Sequence, residues 1–547
     1  MPSARLLRAT TARLGSKAAL ALAAAALLPA VSTSVHAQTN GVILQYFEWT
    51  TSNNGLHWNT VRDNAQNWVN KGITAFWLPP AYKGNAGIDD VGYGVYDLWD
   101  MGEFTKPGHS SARTKYGTRA QYDGAITAIR NAGAQVYADI VINHKMGADA
   151  KEWVRAVRVD QNNRNTEYWG DLDIEAWTKF DFPGRRQADG TLRYNNFRWR
   201  WYHFDGVDWA DNLGKDGCAT EDCKRIYKFR GTGKAWDTEV SSEYGNYDYL
   251  MGADLDFQHT EVRNHLKDWG VWYTNTFRID GFRLDATKHI NASYFNEWLF
   301  HVRQATGKTG AFAVSEYWEP DINKLNSYVN ATNATANDRL SSFDVPLHYR
   351  FKAAADGNGF FDMRTLFNDT LVAWQPSRAV TFVDNHDTLD GRSLASKVAD
   401  WFKPQAYAAI LLRQAGYPTV FLGDHTGVTG NVASHATAID TLLKARKFHA
   451  YGRQNDYFDH SDVVGWTREG DSQHWYGLAV LLNDNRSAAG SKWMFVGSAH
   501  ANQCFTEVTG ASAATICANG SGWANFTVPA GRMAVWVRAG KFGRNTN

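Results

Sequence analysis

What this chain has least of is charge of one sign. Its 547 residues carry 57 Lys and Arg against 56 Asp and Glu, a net charge of +1. That balance gives no basic field for nucleic-acid phosphates and no polybasic surface for anionic lipid, so an uncharged ligand fits it best. Cysteine is scarce as well: the four residues form two local groups, Cys218 with Cys223 and Cys504 with Cys517. No histidine is spaced near either group as in a zinc module, so two short-loop disulfides are expected, with zinc as the alternative. There is no internal repeat, and no stretch beyond the N-terminus is apolar enough to anchor the chain in a bilayer.

The N-terminus reads as an address. Arg5, Arg8, Arg13 and Lys17 precede the apolar run Ala18 to Leu28, and small residues lead up to Ala37. The run is far below the roughly 20 residues a bilayer span needs, so residues 1–37 are expected to be a secretory signal and the protein to be exported. Export also favours disulfides. Hydrophobic residues make up 44% of the chain, enough for a large core, and 23 Trp with 24 Tyr supply rings that pair an apolar face with a polar tip. Such rings suit sugar faces.

From Gly41 onward the periodicity alternates. Gly41 to Trp49 is a β-rich run; Val61, Ala65, Trp68 and Val69 recur at helical spacing; Ile73 to Leu78 is a second run. Further runs are Val136 to Ile142, Gly281 to Ala286, Phe312 to Ser315, Ser342 to Leu347, Ala379 to Val383 and Pro418 to Gly423, with helical patterns between several of them. Eight such units predict a closed (β/α)8 barrel whose strand ends and following loops build the active site. The alternation stops between Asn143 and Asp254, in a stretch rich in Trp, Asp, Asn and Gly that is too long for a structureless loop. It is expected to be an inserted subdomain after strand three. Short β-rich runs from Val463 to Val537 predict a C-terminal antiparallel β-sandwich. The expected organisation is therefore a signal over 1–37, a barrel over 38–144 and 255–453, an insertion over 145–254 and a β domain over 454–547.

Three predicted strands end in a carboxylate: Asp285, Glu316 and Asp387. Glycoside cleavage with retention needs one carboxylate as nucleophile and one carboxylic acid to protonate the leaving oxygen, and a third acid can grip hydroxyls. Arg283 lies two residues before Asp285, on the same strand face, where a fixed cation favours an ionised nucleophile.

The segments Ala138 to His144, Gly281 to His289, Glu316 to Trp318 and Phe382 to Asp387 resemble, in order and spacing, the signature regions of the α-amylase family of retaining glycoside hydrolases. Gln45 to Trp49, Pro79 to Gly84, Asn246 to Met251 and Val464 to Gly470 are similar to its secreted bacterial liquefying branch. The resemblance implies Asp285 as nucleophile, Glu316 as general acid/base and Asp387 as the acid that holds the distorted sugar. It implies His144 and His386 on sugar hydroxyls, Tyr93 as a stacking ring, and Lys288, His289 and Trp318 on the leaving-group side. It also implies calcium, held by Asn143, Asp248, Asp254 and the backbone carbonyl of His289, with Asp205, Asp237 and Asp256 as a neighbouring cation cluster that could take sodium. Read from composition alone, these acids form an oxygen-rich set suited to a hard cation, or a solvated acidic loop. The segment Asp211 to Lys224 departs from the branch by its length and its cysteines. Starch and malto-oligosaccharides are the implied substrates, cut internally by a monomer. A glycosyl-transferring enzyme and a non-catalytic glucan binder on the same barrel are the other readings.

Overall fold

A computed structural model describes residues 40–168, 170–214, 225–335 and 339–545. Eight short strands close into one parallel barrel: β1 (Ile43–Gln45), β2 (Ala75–Leu78), β3 (Gln135–Ile140), β4 (Gly281–Leu284), β5 (Phe312–Ser315), β6 (Ser341–Phe343), β7 (Ala379–Thr381) and β8 (Tyr417–Phe421). Each strand lies beside its neighbour in sequence, and β1 closes on β8 with Ile43 opposite Thr419. Every residue of β2 and β4 is buried, as expected of parallel strands covered on both faces.

All eight expected runs contain a barrel strand, but several strands are shorter. Val345 to Leu347, read as strand, begin the helix Val345–Asp356 instead. The Asp344 carboxylate caps it by accepting from Leu347 N–H at 3.1 Å, and Pro346 occupies its first turn. Helix α1 (His57–Lys71) buries Trp58, Val61, Ala65 and Trp68 on one face. Helix α2 (Arg119–Asn131) starts in a capping box between Thr118 and Gln121.

Between β3 and the helix Thr260–Phe277 lies a six-stranded sheet, in the order His144–Lys145, Ala253–Leu255, Phe204–Val207, Tyr227–Phe229, Ala150–Arg158, Leu172–Lys179. Its two ends in sequence are paired, with Asp254 opposite His144, so the segment leaves and rejoins the barrel at one point. Beyond the barrel, a six-stranded antiparallel sheet that includes Val463–Arg468, Leu478–Asn483 and Met533–Arg538 faces the strand pair Gly490–Phe495 and Trp523–Val528. Leu481, Met494, Phe526 and Trp536 fill the space between the two layers. This is the expected antiparallel β domain. Among the described residues, no helix is long and apolar enough to cross a membrane.

Cys504 and Cys517 are bonded to each other across a two-strand pairing; Cys218 and Cys223 lie outside the described residues. The Cys504–Cys517 bond closes a segment with a sequence separation of 13, which by chain entropy stabilises by about 3 kcal/mol. The double change C504S/C517S is expected to lower the unfolding free energy of the β domain by about 2–3 kcal/mol. Denaturant titration followed by Trp fluorescence checks this, and an unchanged midpoint would refute it.

Candidate active site

β4 and β5 pair in register with Leu284 opposite Ser315. Asp285 and Glu316, one residue further on each chain, therefore emerge side by side at the same end of the barrel. Across β4 on its other side, Asp139 of β3 lies opposite Arg283. The Arg283 guanidinium is 1% exposed and touches all three acids. Its Nη1 donates to Asp139 Oδ1 at 2.8 Å and to Asp285 Oδ1 at 2.6 Å, and Nη2 lies 2.5 Å from Glu316 Oε1. Asp139 is held in turn by the Trp77 indole N–H at 3.0 Å and the Tyr93 hydroxyl at 2.8 Å, both donating to Oδ2.

Asp387 follows β7. It accepts from the Trp49 indole N–H at 3.2 Å, and its other oxygen is 3.2 Å from His386 Nε2. The Gln45 amide donates to His386 Nδ1 at 2.9 Å, which leaves the imidazole proton on Nε2, facing Asp387. Tyr93 stacks on the His386 ring at 5.2 Å and 8°. The sequence reading did not assign Asp139, Trp77, Gln45 or Trp49. Asp139 did carry a signal: it is the one acid in the buried run from Val136 to Ile142, and that is a position that demands a partner.

The three candidate acids are not equivalent. Burial pushes Glu316 up to about 7, opposed by Arg283 and reinforced by the charges of Asp285 and Asp387. Burial also pushes Asp285 to about 7, with Arg283 opposing and Asp139 adding. Burial acts on Asp387 too, yet His386, Arg283 and Trp49 together hold it below the usual carboxylate range. Hydrogen bonds decide between the first two. Asp285 receives an oriented N–H from Arg283, whereas Glu316 Oε1 has close contact without an oriented donor and Oε2 takes only the Ala286 N–H at 3.2 Å. The pair can therefore share one proton near neutrality, and the oriented N–H that Asp285 receives from Arg283 favours the ionised form there.

Other expected site residues have their polar ends engaged by protein. His144 Nε2 donates to the Tyr93 carbonyl at 2.8 Å, and burial lowers its pKa to about 4, so the ring stays neutral. Lys288 Nζ donates to the Trp318 carbonyl at 2.9 Å and pairs with Glu243 and Glu319. His289 Nδ1 meets the Tyr247 carbonyl at 2.8 Å, with its pKa lowered to about 3 by burial. The half-buried Trp318 indole donates to the Tyr349 hydroxyl at 3.4 Å.

A second acid cluster sits where the inserted sheet joins β3. Oxygens of the buried Asp205, Asp237 and Asp256 lie within 4.8 Å of one another. Neither oxygen of Asp205 has a hydrogen-bond partner, nor does Asp237 Oδ1 or Asp254 Oδ2. Lys234 supplies a cation to Asp256 at 2.5 Å. Asn143 approaches Asp254 at 3.4 Å, and Asp248 accepts the Asp237 N–H at 2.8 Å. Burial, followed by mutual repulsion, pushes Asp205, Asp248 and Asp254 well above the carboxylate range and Asp237 to about 7. Buried carboxylates without donors are costly. All-oxygen groups of this kind could hold a hard cation. The nearby group His203, His259 and Glu261 is also compact, but His203 already donates to Glu261 and accepts the Arg200 N–H.

The α-amylase catalytic-domain profile matches residues 58–485, and the α-amylase C-terminal profile matches residues 478–537. The chain belongs to the α-amylase family. It is 52% identical to a glucan 1,4-alpha-maltohexaosidase of Bacillus sp. (strain 707) over 92% of this chain and 93% of that protein. It is 54% identical to an alpha-amylase of Geobacillus stearothermophilus (91% and 87%) and 48% identical to one of Bacillus licheniformis (93% and 95%). An alpha-amylase structure from Geobacillus thermoleovorans, complexed with acarbose, shares the fold with a TM-score of 0.59 at 14% identity, over 92% of this chain and 99% of that one. These family members give the chain its place as a glycoside hydrolase.

The cluster generates a test. With cations chelated, Asp205 is a buried acid without a donor, so D205N is expected to raise the Tm of the chelated protein by a few degrees while shrinking the Tm gain on adding a divalent cation. Calorimetry with and without chelator reads both. A lower chelated Tm together with an unchanged cation gain would contradict the assignment.

Proposed function

We propose that this chain hydrolyses internal α-1,4-glucosidic bonds of starch and malto-oligosaccharides with retention of configuration. The observation that carries the reading is the single guanidinium that holds Asp285 and Glu316 together. It brings one oxygen of each within 2.6 Å of the same guanidinium, and a close carboxyl pair, roughly 5–5.5 Å apart, is what a retaining mechanism uses. The names of the similar proteins support the substrate class.

In this reading Glu316 gives its proton to the glycosidic oxygen as Asp285 Oδ attacks the anomeric carbon. The C–O bond breaks, the leaving chain departs as an alcohol, and a glycosyl ester forms on Asp285. Glu316, now a carboxylate, takes a proton from water, whose oxygen attacks the same carbon and frees Asp285. Arg283 favours the ionised nucleophile. Asp387, kept charged by His386, accepts hydrogen bonds from hydroxyls of the distorted sugar, and the Tyr93 ring offers its face beside it. His144, Lys288, His289 and Trp318 line the site, each fixed by one polar atom bonded to a protein carbonyl or hydroxyl. Asn143, Asp248, Asp254 and the His289 carbonyl would hold calcium, with Asp205, Asp237 and Asp256 beside it for a further ion such as sodium. The ion would neutralise acids and fasten the insertion. Export by the N-terminal signal and action as a monomer complete the proposal.

D285N is expected to lose activity on starch by several orders of magnitude while keeping its circular dichroism, because no ester can form. Products are expected to be short oligosaccharides with an α reducing end, read by NMR at early times; β products would overturn retention. Glu316 must be protonated and Asp285 ionised. Since burial places the coupled pair near 7, kcat/KM is expected to fall above an apparent pKa of about 7 as Glu316 loses its proton. A profile flat to pH 9 would count against Glu316 as the acid.

A further inference from the structure

Behind the strand-seven and strand-eight ends of the barrel lies a third charge cluster that the reaction does not use. Lys403, Asp384 and Asp424 all have fully buried side chains. Lys403 stands in the first turn of the helix Lys403–Leu412. Its ammonium is 2.7 Å from Asp384 Oδ2 and also pairs with Asp424. The Tyr407 hydroxyl donates to Asp424 at 2.7 Å.

The two acids differ in what they touch. Asp424, just after β8, meets only this lysine and tyrosine among the contacts its carboxylate makes. Asp384 reaches the loop that carries His386 and Asp387. It accepts the Thr388 hydroxyl at 2.8 Å and the Val398 N–H at 3.2 Å. The Thr388 hydroxyl oxygen receives the Asn385 N–H at 3.1 Å, and the Asn385 side-chain oxygen receives the N–H of Asp387 at 2.8 Å and of Thr388 at 3.1 Å. Behind it, neutral His348 holds the Val383 carbonyl at 2.6 Å and the Ser396 hydroxyl at 2.9 Å. A continuous chain of hydrogen bonds thus runs from the lysine to the backbone of Asp387.

We propose that the Lys403–Asp384 ion pair is a positioning device for Asp387, in which the lysine keeps Asp384 an acceptor-only carboxylate and Asp384, through Thr388 and Asn385, fixes where the Asp387 carboxylate points. This rests on the assignment of Asp387 to the sugar-holding role. A protonated or amidated residue 384 carries a donor, so it cannot accept on both oxygens as the carboxylate does. The loop then resets and Asp387 leaves the reacting sugar. Asp424 supplies the lysine's second counter-charge and no part of that chain.

The test compares two isosteric changes at equal burial. D384N is expected to lower kcat per folded molecule at least about tenfold, with KM changed less than about threefold, because Asp387 acts mainly on the distorted sugar. D424N is expected to lower Tm but leave kcat within about twofold. T388V, a milder cut in the same chain, is expected to lose about threefold to tenfold in kcat per folded molecule, with a lower Tm because Asp384 Oδ1 and the Asn385 N–H lose their partner, and it decides the matter if D384N does not fold. Equal effects of D384N and D424N on kcat, or wild-type kcat in T388V, would overturn the positioning role. D387N separates the two layers of inference: its inactivity leaves the outcome to those variants, and substantial turnover by it overturns both the assignment of Asp387 and the device built on it.

Discussion

Arg283 is the constraint around which the barrel mouth is organised. A fully buried guanidinium is stable only if its hydrogens are matched by acceptors, and buried carboxylates are stable only if matched by donors. Arg283 meets Asp139, Asp285 and Glu316 at once, so the group has more acids than fixed positive charge. The deficit is resolved by a proton shared between Asp285 and Glu316, and in the proposed mechanism it sits on Glu316, whose Oε1 lacks an oriented donor. A general acid beside a charged nucleophile follows from this shortage of cation. Asp139 has no proposed part in bond cleavage, but without it Arg283 would lose the anchor that Trp77 and Tyr93 fix in place.

The same accounting of buried charge distinguishes the three acid clusters. At the mouth, one arginine serves three acids and a proton fills the gap. Behind strands seven and eight, one lysine serves Asp384 and Asp424, and oriented donors from Thr388, Val398 and Tyr407 supply the rest. At the base of the insertion, Lys234 pairs with Asp256 while Asp205 has no donor at all. In the last arrangement Asp205 has neither a hydrogen-bond donor nor a paired cation on either oxygen, and that is why it is the one suited to an external cation.

Much of this was legible in the sequence. The barrel strands are runs buried on both faces, so their hydrophobicity is continuous and easily read. The catalytic candidates sit immediately after such runs, where a carboxylate is conspicuous. Strand ends were less legible: at Val345 to Leu347 the apolar pattern continues, but a cap from Asp344 and a proline in the first turn convert it to helix. The insertion is legible as a subdomain but its strands are not, because the exposed face of the hairpin Ala150–Arg158 with Leu172–Lys179 carries Trp153 and Trp177 among charged residues, which blurs the alternation, and its connection is long. The partners of the site, Gln45, Trp49, Trp77 and Asp139, come from three other strands or their ends. Nothing in local spacing shows that they converge; closure of the barrel does that.

Strand β3 joins the two halves of the argument. Asp139, which anchors Arg283, and Asn143, which meets Asp254, lie on the same short run, and His144 between the insertion and the mouth pairs with Asp254 on one side while its ring holds the Tyr93 carbonyl on the other. Tyr93 in turn donates to Asp139 and stacks on His386 beside Asp387. Charge left uncompensated at the insertion therefore has a short mechanical route to the mouth: through β3 to Asp139, and through His144 to the ring that packs against the third acid. Asp139 in β3 and Asn143, three residues beyond the end of that strand, are separated by a short buried stretch that has little freedom to absorb a shift at one site without passing it to the other. This makes the acid cluster and the mouth parts of one rigid unit although no carboxylate belongs to both.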